Sequence, residues 1–402
     1  MALRLLPTRR LDGWRRTVVD AALVYVGMRL ISAVVILVAQ RHQPSFPRLS
    51  STPYLGMIMH WDALWFRSIA MNGYPTHLPH TLDGAVAQNR WAFYAAFPLA
   101  TRAVMGLTTS SFAVAASLLN LVAGIVAACA IARLLETRIP RPASLAVVAV
   151  WAALPMAPTL QLPYSEALAM ALLSLALLWL VREQWGRATV AALLLGLTRP
   201  ILPPLAVVYG VAVWRRCRRR SDEPVRLREQ LLMWGGLVLT VAGSALWPAI
   251  AWLVTGVPDA YARTEGAWHH RGAAPFTGLI GLHTFVAHGH VYWMRIVLTV
   301  VISLIVALTV VAARSPRLDP LLVTWCGAYL VFELAVANMR ADELRMLLPL
   351  FPLVAVVCGV ASSRPARRWR LRAWVAAGLG IAGQYAWVML FLRFLPGVAH
   401  AP

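Results

Sequence analysis

The chain has 402 residues, of which 60% are hydrophobic and only 13% charged, and its mean hydropathy is +0.67. Soluble domains carry about 25% charged residues, so a soluble globular fold is excluded, and the lack of alternating segments of roughly 10 residues argues against an outer-membrane barrel. The net charge of +21 rests on 37 basic residues, all of them arginine; they fall in short segments between apolar runs, which fits the positive-inside rule and anionic headgroups rather than nucleic acid.

The N-terminal segment is basic (Arg4, Arg9, Arg10, Arg15, Arg16) and then apolar over about 18–39. That run exceeds the roughly 7–15 residues of a signal-peptide core and no A-x-A site follows. It is expected to be an uncleaved first span with its N-terminus in the cytoplasm. Arg29, inside it, is expected to have a structural partner within the protein. Residues of about 40–110 form an outer segment containing His60-Trp61-Asp62 and closing with Gly73-Tyr74-Pro75. Trp65, Phe66, Ile69 and Ala70 lie at helical spacing from Asp62, while Arg67, Ser68 and Asn72 take another face. This predicts a short helix in the membrane interface, with a second at about 92–107.

Further spans of the length a bilayer needs are predicted at about 112–134, 143–160, 167–181, 188–198, 201–214, 230–254, 291–313, 320–337, 346–362 and 373–396. The expectation is one all-α domain over 1–402, a polytopic transmembrane helical bundle of about 11 spans. Inner segments then hold Arg133/Arg138/Arg141, Arg182/Arg187, an Arg-rich loop of about 215–229, Arg314/Arg317 and Arg364 to Arg372. Roughly two-thirds of the arginines share that side. The pair 188–198 and 201–214 is irregular: 11 helical residues reach only about 17 Å, and Thr198-Arg199-Pro200 interrupts them. Two half-depth helices meeting at an arginine would line a protein-enclosed pocket. The four cysteines (Cys129, Cys217, Cys326, Cys358) lack metal-ligand spacing, and no disulfide is expected.

The polar groups predicted on the outer side are Asp62, Asp83, Glu166, Asp259, Glu265, His269, His270, Arg271, Arg340, Asp342, Glu343 and Arg345, with Arg199 deeper. Carboxylates can move protons, and arginine can chelate a phosphate with two parallel hydrogen bonds. Together they suit group transfer from a lipid phosphate. Each group also has a structural reading. Asp62 could cap a helix starting near Ala63, and Glu166 could be an acid at a helix N-terminus. Arg199 either contacts phosphate or pairs internally with an acid such as Glu166. Arg340 and Arg345 either bind phosphate or snorkel to headgroups. His60 and Trp61 could anchor the interface, Asp83 is expected to be a loop acid, and adjacent His269 and His270 are poorly placed to share a metal.

The run His60-Trp61-Asp62, Phe66, Ile69-Ala70, Gly73-Tyr74 and Phe97-Pro98-Leu99 resembles the PIG-V-type mannosyltransferases, of the GT-C class of polytopic glycosyltransferases. Two more blocks agree: Pro163-Tyr164-Ser165-Glu166-Ala167-Leu168 with Trp185-Gly186-Arg187 and Leu193 to Pro200, and Arg345-Met346-Leu347-Leu348-Pro349-Leu350-Phe351-Pro352. The resemblance implies a GT-C-like fold and a polyprenyl-phosphate-sugar donor, mannose first. The acceptor would be a glycolipid or cell-envelope glycan on the outer face of the cell membrane. It makes Asp62 the catalytic base, and the residues themselves make Arg199, Arg345 and Arg340 the expected donor phosphate ligands. His60, Trp61, Glu166, Tyr164 and His269 would be substrate contacts, with no metal and no cofactor. Ala100-Thr101 and Trp268-His269-His270-Arg271 depart from the family pattern. The all-arginine basic set points to a GC-rich bacterial coding sequence. A transporter or lipid flippase is the competing class. Transporter sites lie near the midplane and often within inverted repeats; here the reactive groups gather on the outer side and no such repeat is visible.

Overall fold

The computed structural model describes residues 8–43, 53–219, 224–269, 292–336, 341–362 and 367–393. Sixteen helices follow one another in the described residues: α1 (Thr8–Gln40), α2 (Pro53–Ile58), α3 (Asp62–Asn72), α4 (Ala96–Thr108), α5 (Phe112–Leu135), α6 (Arg141–Ala153), α7 (Glu166–Val181), α8 (Trp185–Gly196), α9 (Leu202–Arg218), α10 (Leu227–Gly243), α11 (Leu246–Thr255), α12 (Ala260–His269), α13 (Tyr292–Ala313), α14 (Pro320–Val336), α15 (Pro352–Val357) and α16 (Trp369–Trp387). Tighter turns occupy Arg90–Ala92, Ala157–Gln161 and Ala341–Leu350, and a π-turn at Val388–Leu392 ends α16. Among the described residues no strand is present; the two-residue bridge His80 to Val86 is the sole β pairing there.

Among the described residues three helical stretches are long and apolar enough to cross a bilayer: Gly13–Gln40, Phe112–Leu135 and Trp369–Leu392. Large apolar side chains such as Leu23, Leu30, Val122, Trp374 and Leu379 stand exposed on them. An apolar outer surface of this extent needs lipid rather than water as its solvent, and the chain is a membrane protein. Of the other expected spans, the one at 291–313 is the 22-residue helix α13, and several more are short or broken. The predicted span 230–254 is two helices, α10 and α11, bent by 49°. Pro248 lacks the N–H that would bond the carbonyl of Ser244, and its ring crowds that carbonyl. The span predicted at 143–160 ends at Ala153, because Pro155 and Pro158 withdraw two donors in the next turn. The span predicted at 346–362 is a tight-turn segment followed by the six-residue α15, with Pro349 and Pro352 at the break.

The bundle is organised around α5, which packs against α1, α4, α6 and α7. Its buried face is small: Ala115, Ala116, Ala123, Ala127, Ala128 and Ala130. A Cβ at Gly124 would stand 1.8 Å from the Tyr25 hydroxyl oxygen, so only glycine lets α1 seat there. Close backbone approach over small residues is how helices associate in lipid, where apolar burial alone gives little. At one end of the bundle the arginines gather on shared acids. Asp319, 6% exposed, caps α14 through the Leu321 N–H at 2.9 Å and pairs with Arg138 at 3.1 Å and Arg215 at 3.0 Å. Arg216 pairs with Glu229 at 2.7 Å. Arg29 is buried, and its guanidinium donates to the carbonyls of Ala152 and Ala157 and lies over the Tyr25 ring at 5.2 Å. Its structural partners are therefore backbone carbonyls, left free where α6 breaks.

Candidate active site

The helix carrying Asp62 begins in a strained turn. The Ala63 N–H donates to the His60 carbonyl at 3.2 Å, and Trp61 between them has φ 54° and ψ −120°. These are type II′ turn angles, at a position that favours glycine. Holding a tryptophan there costs about 1–3 kcal/mol, a cost that persists where surrounding structure over-determines it. Trp61 takes the cap position of α3 with no side-chain capping bond. Asp62 is thus already the first helical residue, and its Oδ2 lies 2.7 Å from Arg345 Nη1 in an ion pair. The capping reading of Asp62 gives way to an ion pair that reaches across 283 residues of sequence.

The rest of α3 fixes that position. Phe66, Ile69 and Ala70 are buried, as the spacing predicts, together with Ala63. Phe66 packs edge-on against Phe93 and Phe97, and Trp65 stacks on Phe93 with 5.7 Å between centroids and meets Trp268 edge-on at 5.1 Å. Gly73 closes the helix at φ 67°, where glycine is preferred. Its carbonyl accepts from Arg90 at 2.6 Å, while the Tyr74 hydroxyl donates to the Phe93 carbonyl at 2.7 Å.

Glu166 is the first residue of α7 and is 3% exposed. Its Oε1 accepts from Arg199 Nη2 at 3.0 Å and lies 3.3 Å from Arg345 Nη1, while Oε2 has no hydrogen-bond partner among the described residues. Arg199 also donates from Nε to Ser165 Oγ at 3.3 Å and from Nη1 to the Met346 thioether at 2.9 Å. Asp62, Arg345, Glu166 and Arg199 therefore alternate in charge along one connected chain. They come from the start of α3, the 341–350 segment, the start of α7 and the break between α8 and α9. Arg345 is turned inward, with 12% of its side chain exposed, so it does not snorkel. Its guanidinium also lies 5.3 Å from the Tyr164 ring centroid.

Tyr164 is fully buried, and its hydroxyl donates to the His60 carbonyl at 3.3 Å, the same oxygen that closes the Trp61 turn. The loop bearing Tyr164 is held in turn by Asn120 of α5, whose amide donates to the Leu162 carbonyl and to the Tyr164 carbonyl, the latter at 3.0 Å. Burial works against the charge of Arg345, but the carboxylates of Asp62 and Glu166 outweigh it and hold the guanidinium protonated beyond its ordinary range. Burial, then the Asp62 charge, pushes the Tyr164 phenol well above its ordinary range. Burial lowers the His60 imidazole, partly offset by its ring nitrogen's contact with the Leu392 carbonyl at 3.4 Å.

Beside Glu166, Arg199 and Arg345 is a small cleft of about 10 Å³, room for about one water-sized group. Glu166, Arg199, Arg345 and Tyr329 line its polar part and Met170, Ile201 and Leu348 its apolar part. The Tyr329 hydroxyl donates to the Met346 carbonyl at 2.7 Å. The structure thus brings together Asp62, Glu166, Arg199 and Arg345 with Tyr164 behind them. His60 is buried toward Leu392, and Trp61 is half-buried in the turn. Asp83 is exposed and accepts from Thr81; Asp259 is exposed and pairs with Arg263 at 2.8 Å. Arg340, His270 and Arg271 lie outside the described residues, as do the side chains of His269, Asp342 and Glu343. Among the described residues no group of three or more His, Cys, Asp or Glu side chains could hold a metal ion.

Asn120, Ser165, Tyr329 and Met346 were not singled out from sequence. A signal existed for Asn120, since a lone amide inside an apolar span is costly in lipid unless bonded. Ser165 and Met346 lie within the blocks that carry the family resemblance, and nothing in the sequence marked Tyr329.

No family model matches the chain, and no curated protein matches it. Among solved structures it is similar to the oligosaccharyltransferase of Archaeoglobus fulgidus in complex with zinc and sulfate (13% identity, TM-score 0.43, covering 91% of this chain and 52% of that one). It is also similar to the archaeal oligosaccharyltransferase AglB from Archaeoglobus fulgidus in complex with an inhibitory peptide and a dolichol-phosphate (12% identity, TM-score 0.44, 92% and 55%). A third is the Archaeoglobus fulgidus enzyme tethered to an acceptor peptide (11% identity, TM-score 0.40, 91% and 55%). The chain spans about half the length of these structures.

Proposed function

We propose that the chain is a glycosyltransferase. It moves a sugar, mannose on the PIG-V resemblance, from a polyprenyl-phosphate donor to a hydroxyl of a glycolipid or cell-envelope glycan at the outer membrane face. The observation that carries this reading is the Asp62 carboxylate, turned from its own helix end onto Arg345 and joined through it to Glu166 and Arg199. A carboxylate base and two guanidinium groups beside a cleft with an apolar wall are the parts that transfer from a lipid phosphate requires.

The acceptor hydroxyl gives its proton to Asp62 as its oxygen bonds the anomeric carbon. The bond from that carbon to the phosphate oxygen breaks, and the electron pair leaves on the phosphate. Arg345 and Arg199 hold the developing charge, with Arg340 as a third ligand. Trp61, Glu166 and His269 surround the substrates, with His60 and Tyr164 behind them holding the turn at Trp61. A single displacement inverts the anomeric centre, so a β-linked donor yields an α-linked product. The N-terminus lies in the cytoplasm, which puts Asp62 on the outer side.

The test is transfer of label from polyprenyl-phosphate-mannose in membranes carrying wild type or Asp62→Asn. General-base removal lowers the rate by about 10²–10⁴. Wild-type transfer by Asp62→Asn overturns the assignment, and label crossing the bilayer without transfer makes the protein a transporter.

A further inference from the structure

Two features of the cleft go beyond a carboxylate base and a pair of phosphate ligands. Glu166 is 3% exposed, yet its Oε2 has no hydrogen-bond partner among the described residues although it belongs to a group lining the cleft. A buried acceptor left unmade is expensive, far more so than a hydrogen bond is worth on average. Across the same cleft, Arg199 directs Nη1 at the sulfur of Met346, 2.9 Å away. A thioether is a weak acceptor, so this guanidinium arm can exchange it for an anionic oxygen at little cost. An orphaned acceptor and an exchangeable donor thus border one space, both attached to the same ion pair between Arg199 and Glu166.

We infer that the glycosyl phosphate head of the donor sits at the mouth of this small cleft, with one hydroxyl of the sugar ring entering it to donate to Glu166 Oε2 and a phosphate oxygen held by Arg199 Nη1. This rests on the donor reading above and deepens it by making Glu166 the residue that tells a sugar-bearing lipid phosphate from a bare one. An apolar wall of Met170, Ile201 and Leu348 suits the first carbons of the lipid. The negative charge of Glu166 repels phosphate, so a bare lipid phosphate gains the arginine contact but not the hydroxyl bond. The sugar-bearing lipid gains both.

The experiment measures equilibrium binding, without acceptor, of polyprenyl phosphate and polyprenyl-phosphate-mannose to the full chain in lipid nanodiscs. A hydroxyl donating to a carboxylate is a charge-assisted bond, so the mannosyl lipid is expected to bind about 10- to 100-fold tighter. A series of single-deoxy mannosyl lipids is expected to contain one member that loses this advantage. In Glu166→Gln, that member and the parent bind within a factor of about two. The deoxy series on wild type needs no altered protein, so it decides the matter even where Glu166→Gln fails to fold. Equal binding of the bare and mannosyl lipids, or a deoxy series that all bind as the parent does, overturns the inference alone. Failure of both lipids to bind overturns the donor reading and this inference with it.

Discussion

Replacing Arg345 by Gln removes a cation that touches both carboxylates. Its Nη1 lies 2.7 Å from Asp62 and 3.3 Å from Glu166, which places the two oxygens no more than about 6 Å apart. With an effective dielectric constant of about 20, two like charges at that distance repel by roughly 2.8 kcal/mol once the guanidinium between them is gone. Removing one partner of a buried pair costs about 3–5 kcal/mol of stability, and losing a donor aimed at a developing charge costs about 10²–10³ in kcat. Arg345→Gln is therefore expected to unfold at lower temperature and to transfer label at least about 100-fold more slowly. The assay is label transfer from polyprenyl-phosphate-mannose, with thermal unfolding of the same proteins. Unchanged melting with wild-type transfer refutes the shared role of Arg345 between Asp62 and Glu166.

Three more outcomes follow from the geometry. Tyr164→Phe removes the hydroxyl that steadies the His60 carbonyl at 3.3 Å; with a bond worth about 0.5–1.5 kcal/mol, kcat is expected to fall roughly 2- to 10-fold with the donor KM unchanged, and a KM rise with constant kcat would instead mark it as a substrate contact. Asp319→Asn strips the charge from the carboxylate shared by Arg138 and Arg215. Both arginines are about a third exposed and can rehydrate, so a loss of about 1–3 kcal/mol in chemical unfolding is expected, and an unchanged midpoint refutes the clamp. His60 is lowered by burial, so the folded chain resists a proton that the unfolded chain accepts below about pH 6.5. Stability is therefore undiminished above that pH and falls as pH drops below it toward the folded value. His60→Gln should flatten this slope in thermal melts between pH 5 and 8, and an identical slope in both proteins rules it out.

Much of the helical layout could be read from hydropathy, because spans such as 112–134 and 167–181 are uninterrupted apolar runs that fold as α5 and α7. Where the reading ran long, a proline lay inside the window: Pro155, Pro248 and Pro349 barely lower an average over some 20 residues, yet each removes a donor and ends a helix. The site was legible one residue at a time. Asp62, Glu166, Arg199 and Arg345 each stood out as a charge at the border of an apolar run. Their order along one ion-pair chain did not, since it depends on long-range packing that places residue 345 beside residue 62. Tyr329 and Met346 act through a hydroxyl and a thioether in settings where either residue usually just fills space.

The cluster at Asp319 also bears on how the chain is made. Its partners lie 181 and 104 residues upstream, at Arg138 and Arg215. At about 5–20 residues per second, Arg215 leaves the ribosome roughly 5–20 s before the acid that will bind it, and Arg138 earlier still. Until then both arginines must be held by water or headgroups at the translocon. Closure of that end of the bundle thus waits for residue 319, and a chain arrested before it has the cations of the clasp without its anion.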